Sequence, residues 1–295
     1  IKVKWSFLMN KYLNSSIFII LFITFSCEDA KESKVISPVP SSFTKKVLIE
    51  EFTGAWCQFC PDGAYILGNI IDANNENVIG VSIHSGDDME IEHANFLINT
   101  YQNTGFPSGM VDRVVATTDY YGNSIVSMNR GWWDYIATIQ LEKIASCGLA
   151  IKSDVSNGNA EIDVHVGFNE QIQGDIRLNV YLIEDNVTGT GYGFDQRNFY
   201  NTDTSSIFFG LGDPIQGYAH NHTLRLVLTE SQGNLISSEA IASGEHTETF
   251  QINIEEFDKN ELSIVAFVNY FGENYSEHEI LNVKKCSIEG FEDWD

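Results

Sequence analysis

Basic side chains are scarce in this 295-residue sequence: 17 Lys and Arg stand against 41 Asp and Glu, for a formal net charge of −24. Such a chain repels phosphate backbones, which argues against general nucleic-acid binding. It also has only five cysteines and five prolines. Five cysteines in a chain this long exclude a miniprotein framed by disulfides. Long apolar runs are missing too. The most apolar stretch, 17–25, has nine residues, well short of the roughly 20 that a membrane-spanning helix needs. At 43% hydrophobic and 20% charged the chain is not disordered, and its length suits one large domain or two ordinary ones. His84, Asp87, Asp88 and His93 are irregularly spaced, and His220 and His222 have no further donor at fixed spacing. No metal site and no cofactor are therefore expected.

The N-terminus reads as an export address. Lys2, Lys4 and Lys11 precede the apolar run, no acid lies before it, and Ser26 and Cys27 follow it. Thr24-Phe25-Ser26-Cys27 resembles a bacterial lipoprotein signal, which would make 1–26 a signal peptide and Cys27 the lipidated residue. Two or more acyl chains on one cysteine hold a protein at a membrane, where a single chain is marginal. The chain from Cys27 onward carries 14 basic and 41 acidic side chains, or −27. Residues 27–44 are polar, rich in Ser and Pro and without period, and are expected to form a tether.

Past the tether, Lys46-Val-Leu-Ile-Glu-Glu-Phe52 reads as a buried strand. Thr53-Gly-Ala-Trp56-Cys57-Gln-Phe-Cys60-Pro61 follows, and Gly63–Ile71 has helical period. A Cys-x-x-Cys pair between a strand and a helix is the setting of a redox-active dithiol. Helix N-terminal N–H groups and the helix dipole favour thiolate at the first cysteine. Asn77–His84 reads as a central parallel strand and Ala94–Gln102 as a helix. Gly105-Phe106-Pro107-Ser108 then opens another strand, and Met128–Ile144 gives a closing amphipathic helix.

This order of elements around Trp56-Cys57-x-x-Cys60-Pro61 resembles the thioredoxin superfamily. The resemblance implies an α/β thioredoxin-like domain over 45–145. It makes Cys57 the exposed nucleophile, Cys60 the buried resolving thiol, and Phe106–Pro107 a cis-proline loop that holds the backbone of a protein thiol or disulfide substrate. Glu51 occupies the position of the superfamily's buried acid, which relays the resolving thiol's proton. The residues alone leave two readings of it open, a buried relay or a solvent-facing strand end, since Glu50 and Glu51 must point to opposite faces.

From Cys147 the period changes to two. Strands are predicted over 150–155, 160–169, 175–184, 222–230, 235–241, 247–254, 262–270 and 279–286, as in an all-β antiparallel, Ig-like sandwich over 146–295. This module carries 7 basic and 25 acidic side chains. Cys147 and Cys286 bracket it, either as a structural disulfide or as two buried thiols. Residues 186–221 interleave glycine with aromatics, as in a loop that binds a partner or packs across the sandwich end. The whole arrangement, with Gly217-Tyr-Ala-His-Asn-His222, is similar to the outer-membrane-protein-28-related lipoproteins of Bacteroidetes. That resemblance implies an envelope lipoprotein anchored in the outer membrane, facing the periplasm or the surface.

Two functions follow from these observations. One is a thiol–disulfide oxidoreductase working through Cys57 and Cys60 with Glu51 and Trp56. The other is a surface binding or adhesion protein that uses the thioredoxin fold as a scaffold.

Overall fold

A computed structural model describes residues 34–295. The expected signal peptide and Cys27 lie outside the described residues, as do the first residues of the tether.

The N-terminal elements are β1 (Val47–Thr53), α1 (Cys60–Ala73), β2 (Val78–His84), α2 (Glu92–Thr100) and β3 (Ser108–Val111). A small hairpin of β4 (Thr117–Thr118) and β5 (Ser124–Ile125) follows, then β6 (Met128–Asn129) and α3 (Trp133–Leu141). α3 starts later than its apolar pattern predicts. Asn129 accepts a hydrogen bond from the Gly131 N–H, and a single 3-10 turn at Arg130–Trp132 comes first. The C-terminal elements are β7 (Cys147–Ser156), β8 (Asn159–Phe168), β9 (Ile176–Glu184), β10 (Thr223–Val227), β11 (Asn234–Ile236), α4 (Ser238–Ser243), β12 (Glu245–Asn253), β13 (Leu262–Tyr270), β14 (Ile280–Ser287) and β15 (Gly290–Glu292). The strand predicted over 235–241 is thus only three residues long before the chain turns helical. The Ser237 hydroxyl caps α4 by accepting the Ala240 N–H, and Gly244 ends it at φ 89°. An N-cap serine and a left-handed glycine outweigh the period-two pattern between them.

The strands form a nine-stranded mixed sheet, β14-β13-β9-β10-β2-β1-β3-β6 with β11 on β9, and a four-stranded sheet, β12-β8-β7-β15. The large sheet crosses the expected boundary at 145/146. Thr223 of β10 pairs with Ser82 of β2, and the Ser82 N–H donates to the His222 carbonyl at 2.7 Å. Residues 34–295 are accordingly one compact unit rather than two bodies in series. The two β layers expected after Cys147 are present, but one of them continues into the N-terminal half.

Strand alternation sorts the core. On one face of the large sheet, Phe52, Val81, Ile83, Tyr181, Ile183, Phe267 and Val283 form a cluster that α2 covers through Leu97 and Tyr101. The opposite face has two covers. α1 and α3 lie over β1–β3 through Leu67, Ile70 and Trp133, and the four-stranded sheet lies over β9, β13 and β14.

Residues 34–44, expected as tether, have no regular secondary structure but are fastened to the body. The Trp294 indole donates to the Ser37 carbonyl at 2.7 Å, and Ser37 donates to Asp293 through its N–H and its hydroxyl. Phe43 and Val39 fill the space left by Gly148 and Gly167, where a Cβ would collide with them.

Cys147 and Cys286 are buried free thiols, not a disulfide. The Cys286 thiol approaches the Ile151 carbonyl, while the Cys147 carbonyl accepts from Asn282. The two cysteines are therefore offset by four residues of extended chain, about 13 Å, beyond the reach of an S–S bond. Burial pushes each thiol up to about 12.

Candidate functional site

Cys57 and Cys60 are joined by a disulfide with a Cα–Cα distance of 5.4 Å. The pair stands where β1 ends and α1 begins. The Cys57 N–H donates to the Gly54 carbonyl and the Cys60 N–H to the Cys57 carbonyl, so Cys57 occupies the turn just ahead of the helix. Pro61 falls in the first helical turn, where its missing N–H has no partner to lose. The Trp56 indole donates to the Ser85 carbonyl at 2.6 Å, and its ring meets Phe106 edge-on at 5.3 Å. The Phe106–Pro107 peptide is cis. Gly63 brings α1 close to this loop: a Cβ there would collide with Glu51 Oε1 and lie 2.7 Å from Pro107 Cβ.

Both adjacent acids are buried, because the sheet is covered on both faces. Glu50 faces the α2 side. Arg113 Nε and Nη2 donate to its two oxygens at 2.7 Å each, and Arg113 also reaches the Tyr181 hydroxyl. Glu51 faces α1, and neither of its oxygens has a hydrogen-bond partner. Burial drives its pKa up to about 8, against weaker opposing pulls from Ser82 and Arg130. The carboxyl is therefore mostly neutral at pH 7.

Glu51 is part of a polar end to an otherwise apolar sheet face. Alternation places Thr53 on its strand, Ser82 and His84 on β2, and Thr223 on β10 beside it. The His84 Nδ1 donates to Asp87 Oδ2 at 2.7 Å, and the same oxygen accepts the Ala55 N–H of the cysteine loop. Burial works against that carboxylate, but the His84 hydrogen bond and charge and two backbone N–H groups outweigh it and hold Asp87 below its usual range. His84 meets the His220 ring edge-on at 5.0 Å. His220 donates from Nε2 to the Phe194 carbonyl, and burial lowers its pKa to about 4. Among the described residues no group of three or more His, Cys, Asp or Glu side chains is placed to hold a metal ion.

The chain between β9 and β10 forms a roof over this site. The Gln196 amide is buried and donates to the carbonyls of Cys57 at 2.9 Å and Ala55 at 3.2 Å. The Arg197 N–H donates to the Ala55 carbonyl and the Phe199 N–H to the Gln58 carbonyl. The Phe199 ring lies 4.5 Å from Phe59, and Phe208 meets Tyr65. Cys57, expected as an exposed nucleophile, is consequently only 4% exposed, and Cys60 1%. Beneath the roof, between α1 and the polar strand ends, is a cavity of about 340 Å³. Glu51, Cys60, His84, Gln196, Tyr218 and His220 are among its walls.

The sequence pattern brought Cys57, Cys60, Trp56, Glu51, Phe106 and Pro107 to one place. It did not single out Ser82, although its register opposite Glu51 follows from alternation. It gave no signal for Gln196, which reaches the cysteine loop from another part of the chain.

Comparison with the curated proteins finds no significant match. Among solved structures, HBP35 of Porphyromonas gingivalis is similar in fold: the TM-score is 0.66 at 20% identity, covering 85% of this chain and 78% of that one. A structural-genomics protein from Agrobacterium tumefaciens matches with a TM-score of 0.46 at 12% identity, covering 82% of this chain and 94% of that one, a likeness too low to argue from. Among the described residues no helix is long and apolar enough to cross a membrane. The family model described as outer membrane protein Omp28 matches residues 94–290, a region that starts beyond the cysteine pair and takes in the roof, β10 and both β layers. The chain belongs to the Omp28 family of outer membrane proteins.

Proposed function

We propose that this Omp28-family protein is an envelope lipoprotein with thiol–disulfide oxidoreductase activity, built on a thioredoxin-like frame. The observation that carries the reading is the Cys57–Cys60 disulfide at the head of α1, above an unpartnered buried Glu51 and beside a cis Phe106–Pro107 loop. In the reduced protein Cys57 is the attacking thiolate, favoured by the N-terminal end of α1. It forms a mixed disulfide with a protein substrate whose backbone lies along Phe106–Pro107. Cys60 then displaces the substrate, its proton passing to the minor ionised form of Glu51. Trp56 holds the cysteine loop against Ser85 and Phe106. The roof must yield for a protein substrate to reach Cys57. A signal peptide over 1–26 and lipidated Cys27 would supply the outer-membrane anchor.

The test is turnover of insulin in the presence of a thiol reductant and oxidation of a peptide dithiol, each compared with Cys57→Ser. Activity in either assay that the variant abolishes supports the reading; inactivity in both overturns it. A second reading, binding at the surface with the fold as scaffold, is favoured by the exposed apolar side chains of the roof, Tyr192, Phe199, Ile207, Phe209 and Leu211. It requires partner binding to survive replacement of both motif cysteines.

A further inference from the structure

The cavity meets only one half of the disulfide. Cys60 is among its walls and Cys57 is not. The roof covers Cys57 from the other side through Gln196, Arg197 and Phe199. A volume of about 340 Å³ falls at the small end of ligand pockets, which hold roughly 300–1,000 Å³. It suits a small polar molecule, not a folded chain. Asn69, Asp72 and Asn221 line its outer part and are exposed, so it opens to solvent. At its inner end is Glu51, wholly buried, with both oxygens unpartnered. An acid desolvated to that degree and left without a donor is costly unless something fills the site.

We infer that the cavity is a binding site for a low-molecular-weight thiol or its disulfide, which exchanges with the protein at Cys60 while protein substrates exchange at Cys57. This rests on the oxidoreductase reading above and names its electron partner by class. In the reducing direction the minor ionised form of Glu51 takes the proton of the small thiol, whose sulfur attacks Cys60. The Cys57–Cys60 bond breaks, and Cys57 leaves as thiolate at the N-terminal end of α1, where that charge is favoured. A second small thiol attacks the small-molecule sulfur of the mixed disulfide, forming the small disulfide and freeing Cys60. Two thiols are oxidised to one disulfide, the protein disulfide is reduced, and the two thiol protons end on Cys57 and Cys60. The oxidising direction is the reverse.

Full-length Cys57→Ser and Cys60→Ser, each holding one motif thiol, are treated with L-cystine or with a disulfide-bearing peptide too large for the cavity. Peptide mass spectrometry locates each adduct and follows its rate. L-Cystine should modify Cys60 about tenfold faster than Cys57, and the peptide should reverse that order. A Cβ on Gly68, which lines the cavity, meets nothing within 4 Å. Gly68→Phe therefore starts its side chain in open space and is chosen to obstruct the cavity. It should slow the L-cystine adduct at Cys60 about tenfold and leave the peptide adduct at Cys57 unchanged. If L-cystine prefers Cys57, or if Gly68→Phe changes nothing, the inference fails and the oxidoreductase reading stands. If neither cysteine reacts with either probe, both fall.

Discussion

The buried acid gives stability a characteristic dependence on pH. Glu51 is raised from 4.5 to about 8, chiefly by burial. Between those values the unfolded chain has lost this proton and the folded chain keeps it. The unfolded state then binds fewer protons, so stability falls as pH rises. At about 1.4 kcal/mol for each pKa unit, the shift amounts to roughly 5 kcal/mol. That contribution is fully present below pH 4.5 and gone above about pH 8. Glu51→Gln keeps the shape and removes the titration. Its unpaired amide costs a constant amount, about 1–3 kcal/mol, so the slope and not the offset is the diagnostic quantity. The assay is urea unfolding of the oxidised wild type and variant at fixed salt, at intervals from about pH 4 to about pH 9. All other carboxylates contribute equally to both chains and cancel in the difference. The variant should gain on the wild type by about 3 kcal/mol between pH 4.5 and 7, with the difference levelling off above pH 8. Parallel curves would refute a neutral, desolvated Glu51.

Three further outcomes follow from the packing. Gly63→Ala places a methyl group against Glu51 and Pro107; overpacking of about 1–3 kcal/mol should exceed the helix-propensity gain of about 1 kcal/mol and lower the melting temperature. Glu50→Gln strands Arg113, 5% exposed, without its carboxylate, so chemical unfolding should show a loss of about 3–5 kcal/mol, partly recovered when Arg113→Met is added. Cys147 and Cys286 should resist a chromogenic disulfide reagent in the folded protein and both react in denaturant, whereas a bond between them would leave neither free under any non-reducing condition.

Much of the site was legible because its signals are local. The Trp-Cys-x-x-Cys-Pro run, its flanking strand and helix and Pro107 each depend on neighbours close in sequence, and alternation alone placed Glu50 and Glu51 on opposite faces. What alternation does not reveal is that both faces are covered, since the covers are α2 on one side and α1 on the other. Burial of Cys57 was illegible for a related reason: Gln196 and Phe199 meet it from a loop whose composition carries no mark of the cysteine motif. The four-residue offset of Cys147 and Cys286 likewise depends on the register of two distant strands. The 34–44 segment looks like a tether because its contacts come from Asp293 and Trp294 at the far end of the chain.

The shared sheet also sets an order of events in folding. β1, β2 and β3 are close in sequence and can find one another early, but Ser82 gains its neighbour only when residue 223 arrives. Closing so long a loop is slow in itself. Until then the strand ends that floor the cavity stand at an open edge and the cysteine loop has no roof. The reactive centre is therefore finished only after a part of the chain made well behind it has arrived. The same geometry suggests that a chain severed within the roof should still hold together, its two fragments joined as complementary pieces of one sheet.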